Sequence, residues 1–229
     1  MVAALAHEAV GHGGACLVNG GEITLLSVIW FRCSLAGISI DLAGPLAGLI
    51  GGLSGLTLAA LGPGSALRVR LFGLLLGSFG LFWFSAQMVS QTICGIDDWQ
   101  IAATWPIGLR VAAVTSGVVV YGSMVRLAWW LARSISRGPS RWRRFLTPYA
   151  AGVLGLVACA SLRLNDGSAL ETVRAVGLAP LGYLWAVTRP SMANSTNGHI
   201  DRSWPWIISG LVGLVLYAIA FGPGLGRMA

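Results

Sequence analysis

The chain contains no lysine, few acids and only three histidines among 229 residues. Charged residues make up 10% of it, where a soluble domain carries about 25%. That scarcity excludes an ordinary solvated surface. No C-x-x-C occurs among Cys16, Cys33, Cys94 and Cys159, which argues against a thiolate zinc site. Cys16 and Cys33 flank a short non-helical stretch and are close enough in sequence to be bridged, but free thiols behaving as small buried residues are the expectation. No basic stripe with interleaved aromatics appears, so nucleic acid is not an expected partner despite a net charge of +7. All fifteen basic residues are arginine, which fits the codon bias of a GC-rich genome. No secretory signal with a small-residue cleavage site opens the chain.

What is present is apolar. Hydrophobic residues make up 55% of the chain and its mean hydropathy is +0.75. A bilayer helix needs about 20 such residues. Candidate spans lie at about 36–61, 71–94, 107–132, 145–162, 167–188 and 205–224, with a shorter apolar segment at about 1–18. Glu171 and Arg174 make the span at 167–188 the least regular. Trp99, Trp105, Trp129, Trp130, Trp204 and Trp206 stand near span ends, as interfacial tryptophans do. Glycines inside the spans, such as Gly48, Gly51, Gly52 and Gly55, permit close helix approach. After a Gly20-Gly21 turn, Ile23 to Phe31 is rich in β-branched and aromatic residues and reads as one or two strands. Such a hairpin is either a plain surface feature or an edge open to an extended peptide. The expected fold is therefore an all-α polytopic membrane protein of about six or seven transmembrane helices, with a short β-hairpin after the first. The bilayer is its first expected partner, and the expected location is a bacterial plasma membrane.

Arg133, Arg137, Arg141, Arg143 and Arg144 form the richest basic loop, which belongs in the cytoplasm. Counting back, residues 14–36 and 95–106 face the other side. The polar residues of the first three helices gather on that side.

The chemistry is concentrated in His7-Glu8-Ala9-Val10-Gly11-His12. Desolvating two imidazoles and an acid in an apolar chain is costly unless something binds them, and zinc is the usual agent. In H-E-x-x-H on a helix, two imidazoles four apart point to one face and the Glu acts as general base. Here the spacing is five. At about 100° per residue, His7 and His12 would diverge by about 140° on a regular helix. A single wide turn between Ala9 and His12, a π-bulge, would bring them together, and Gly11 offers the backbone freedom for it. A catalytic zinc usually takes three protein ligands. On the third helix Gln87, Gln91 and Asp98 fall within about 20° of one stripe, while Asp97 lies off it. Asp98 is thus the favoured third ligand, with Asp97 or Asp41 as alternatives. Asp41 more naturally caps its helix.

With Ala43-Gly44-Pro45 opening the next span and an acid near the end of the third, the chain resembles the site-2 protease family of intramembrane zinc metallopeptidases. The resemblance covers residues 1–100 and leaves 101–229 as helices of unknown role. It implies a three-helix metal-binding core, zinc ligands His7, His12 and Asp98, and Glu8 as catalytic base. It also implies hydrolysis of peptide bonds in membrane-associated peptides or proteins. Several features differ from the family's pattern. The His–His spacing is one residue longer, as in zinc peptidases of the dipeptidyl-peptidase III type. Gly48 stands where the family has Asn, and its Asn-Pro and Asp-Gly elements are absent. The site also falls on the non-cytoplasmic side. These differences raise the alternative of a non-catalytic scaffold or transporter of the same ancestry.

Overall fold

The computed structural model describes residues 1–64, 66–94, 105–135, 141–163, 167–189 and 203–225. Helix α1 spans Val2–Val18. A hairpin follows, of β1 (Ile23–Leu26) and β2 (Phe31–Cys33). Then come α2 (Ile38–Leu61), α3 (Leu67–Cys94), α4 (Ile107–Ile135) and α5 (Arg141–Ala160). Helix α6 (Ser168–Thr172) runs directly into a π-helical stretch, Val173–Leu178. After Pro180 come α7 (Leu181–Thr188) and α8 (Trp204–Phe221). Among the described residues four helices, α2, α3, α4 and α8, are long and apolar enough to cross a membrane.

The expected strands are present. Leu25 pairs with Arg32 and Leu26 with Phe31, antiparallel, with an irregularity between Ile23 and Leu25. The outer edge of β1 is covered by the chain itself. Leu26 and Leu225 exchange two backbone hydrogen bonds of 2.7 Å, so the segment after α8 bridges that edge at the end of the strand.

Helices α2 and α3 form the tightest pair. A Cβ on Gly55 would lie 2.6 Å from the Gly77 nitrogen, and one on Gly80 would lie 2.6 Å from the Gly48 carbonyl. Only backbones without side chains approach so closely, which maximises dispersion contact where lipid supplies no hydrophobic drive. Further out, Phe82, Phe145 and Tyr183 are fully buried between α3, α4, α5 and α7. Their polar atoms are used. The Tyr183 hydroxyl donates to the Phe145 carbonyl at 3.3 Å, and the Gly182 amide donates to the Tyr121 hydroxyl at 3.0 Å. Tyr149 donates to the Gly177 carbonyl inside the π-helical stretch. Backbone and hydroxyl groups at bilayer depth need such partners. Helix α8 contributes little to this core, and Ile208, Leu211, Val215 and Ile219 point outward as a lipid-facing surface would.

Two expectations are corrected. Cys16 and Cys33 are joined in a disulfide, with Cα atoms 5.9 Å apart, because the hairpin folds back onto α1 and brings β2 beside its last turn. Trp105 is buried against Phe84, Met88 and Ala113 instead of standing in an interfacial belt, whereas Trp130, Trp204 and Trp206 are exposed.

Candidate metal centre

The middle of α1, Leu5–Gly13, is π-helical. A π-helix bonds each residue to the one five ahead, so residues five apart sit one above the other. His7 and His12 therefore meet, with ring centroids 4.9 Å apart and planes at 80°. The wide turn expected from the spacing is present, and it is longer than a single bulge. Gly11 has a different role from the expected one. Its backbone is not left-handed; it lies against α2, where a Cβ would be 2.6 Å from the Ala43 carbonyl and the Gly44 Cα.

That approach places both imidazoles beside the first turns of α2. The His12 Nδ1 lies 2.7 Å from the Ile40 carbonyl. A carbonyl only accepts, so Nδ1 carries the proton and Nε2 keeps its lone pair. A Cβ on Gly44 would collide with the Nε2 edge of the His12 ring. His7 is held in a similar way. Its ring hydrogen-bonds to the Gly44 backbone. Its Nε2 lies 3.2 Å from the amide nitrogen of Gln87, which donates to it and so places the His7 proton on Nδ1. Aromatic rings fix both planes: Trp83 stacks on His7 at 4.2 Å and Phe31 on His12 at 5.4 Å. The disulfide holds the strand that carries Phe31 against α1.

Glu8 completes the cluster. Its Oε1 lies 3.9 Å from His7 Nε2, and both residues are almost fully buried. One donor atom from each of His7, Glu8 and His12 falls within 4.8 Å of the others. Two imidazoles held by backbone bonds, the His12 Nε2 lone pair kept for another partner and the His7 Nε2 accepting from the Gln87 amide, with a carboxylate beside them, are a donor set that could hold a metal ion. The residues present fit the ion.

The site opens into a cleft of about 790 Å³. Its walls are α1, the hairpin, the start of α2 and the polar face of α3 that carries Gln87, Ser90 and Gln91. Glu171 and Arg174, from α6 and its π-helical continuation, line it too. Asp41 lines the cleft from the first turn of α2 and is not the cap; Gly37 holds the cap position without a side-chain bond. Asp97 and Asp98 lie outside the described residues, so the structure does not place either relative to the cluster.

The sequence did not point to Trp83, Phe31 or the α6 pair as site residues. The one signal for Glu171 and Arg174 was their charge within an apolar segment. Comparison with family models, curated proteins and solved structures finds no match for the chain.

Proposed function

We propose that this chain is a membrane-embedded zinc metallopeptidase, a divergent relative of the site-2 protease family, acting on membrane-associated peptide segments. The observation that carries the reading is the paired imidazoles, His12 bonded to the Ile40 carbonyl and His7 to the Gly44 backbone of the same helix, beside a buried carboxylate. Zinc bound there would lower the pKa of a water toward about 7 and polarise a peptide carbonyl. His7 and His12 would hold the ion, and Asp98 remains the proposed third ligand. Glu8 takes a proton on Oε1 and returns it to the leaving amine. Trp83 and the hairpin keep bulk water from the imidazoles while the cleft admits an extended segment. A membrane location is supported by the apolar helices, and a multi-pass place in a bacterial plasma membrane is the location this reading takes.

A second reading has its own observation. Glu8 sits in the same donor cluster as the two imidazoles. If its carboxylate itself occupies the ion, no base remains, and the protein is a metal-holding scaffold or transporter. Glu8→Gln separates the two. In the peptidase, the variant keeps stoichiometric zinc and loses about 10²- to 10⁴-fold in cleavage. Membrane-protein fragments present in cells with wild type then vanish in cells with Glu8→Gln. Loss of zinc in Glu8→Gln, with unchanged fragment profiles, would establish the scaffold reading instead.

A further inference from the structure

Gln87 stands on α3 one turn after Trp83. Trp83 covers the face of the His7 ring, and Gln87 reaches its Nε2 edge at 3.2 Å. The other end of the same amide is unused: among the described residues, Gln87 Oε1 is buried without a hydrogen-bond partner. A buried acceptor left unsatisfied is costly, because it has lost its water and gained nothing in return. Packing gives no reason for the cost, because Phe84 and Met88 supply the apolar contacts on this part of α3. The side chain lines the cleft and addresses the one ring nitrogen whose lone pair an ion would take.

We propose that Gln87 belongs to the metal centre, its Oε1 entering the coordination sphere beside the imidazoles of His7 and His12 as a donor additional to Asp98, in a five-coordinate site that keeps a position for water. The proposal rests on the metallopeptidase reading. An ion on His7 Nε2 removes the acceptor that the Gln87 amide nitrogen now uses. The terminal torsion of glutamine is broad and roughly two-fold, so the amide can present oxygen where it now presents nitrogen. The turn gives the unpartnered oxygen a cation and relieves the contact between N–H and ion. It also brings an oxygen donor from α3 without drawing on Glu8, which stays available to move a proton. Gln91 lies one turn further along the same wall, and Gln87 is the member of the pair that contacts an imidazole.

The test uses the full-length protein in detergent, with zinc alone and cobalt alone as probes. Zinc affinity is read by competition with a chromogenic chelator, and the visible cobalt spectrum reports the ligand set. Gln87→Leu should weaken zinc about 10- to 100-fold and reduce the intensity of the cobalt bands. Gln87→Glu, which keeps an oxygen donor and adds charge, should bind zinc at least as tightly as wild type and shift the cobalt bands. Wild-type zinc affinity and an unchanged cobalt spectrum in Gln87→Leu would overturn the proposal and leave the peptidase reading standing. If Gln87→Leu does not fold, a cobalt spectrum in Gln87→Glu identical to wild type overturns it equally. Absence of zinc from the wild type removes both.

Discussion

Which nitrogen of each histidine faces the site is decided by backbone. Ile40 and Gly44 lie one turn apart on α2, and both engage an imidazole of α1. Gly44 has a second role, since His12 occupies the space its side chain would need. Gly44→Ala should therefore displace the ring at a packing cost of about 1–3 kcal/mol. We expect zinc to weaken by at least tenfold while α2 stays helical, measured by competition titration and circular dichroism. Asp98→Ala should lose zinc and Asp97→Ala should retain it. Equal retention would move the third position to another residue. The residue types of the centre were legible in the sequence, because two imidazoles and a carboxylate in so apolar a chain demand a partner. The phase of Gln87 was legible as well, but its contact with His7 was not. That contact joins residues 80 positions apart, and periodicity within one helix carries no information about which face meets which neighbour.

At the scale of the element, the wide helix in α1 is the feature on which the rest depends. A π-helical turn behaves as an α-helix with one residue too many. Deleting Ala9 should let the segment revert to a regular helix with the spacing His-Glu-x-x-His. Metal binding should then persist within about tenfold, because residues four apart share a face of an α-helix. Inserting one alanine after Ala9 should reduce zinc at least a hundredfold. Elemental analysis of the purified variants decides both. The span limits were readable within a few residues, as 71–94 against Leu67–Cys94 and 205–224 against Trp204–Phe221 show. The segment at 167–188 was not readable as it folds. A π-helical stretch and Pro180 divide it, and its charged residues reach the cleft, a placement set by tertiary packing and not by local propensity.

For the molecule as a whole, two independent lines support a proposed sidedness. With the arginine-rich loops in the cytoplasm, α1's last turn and the hairpin would stand on the other side. The Cys16–Cys33 disulfide at that same end fits an oxidising compartment. The exposed thiol of Cys94, at the end of α3, falls on that side too. A membrane-impermeant maleimide added to intact cells should label Cys94 and spare buried Cys159. Labelling only after lysis would invert the topology. Cys33→Ser should lower stability by about 2–4 kcal/mol and loosen the strand that carries Phe31, seen as a lower thermal midpoint and faster zinc release.

The bond between Leu26 and Leu225 imposes an order on biogenesis. The strand it completes is made early, near the amino end, and its partner emerges only after α8. Until α8 and the residues just after it have been made, the hairpin beside the candidate metal centre lacks that bond. This wall of the cleft therefore reaches the form described only after Leu225 has been added. A half-made chain carries the histidines and the acid without the completed wall that frames them. The order of synthesis thus separates the histidines and the acid in time from the segment that pins the strand beside them.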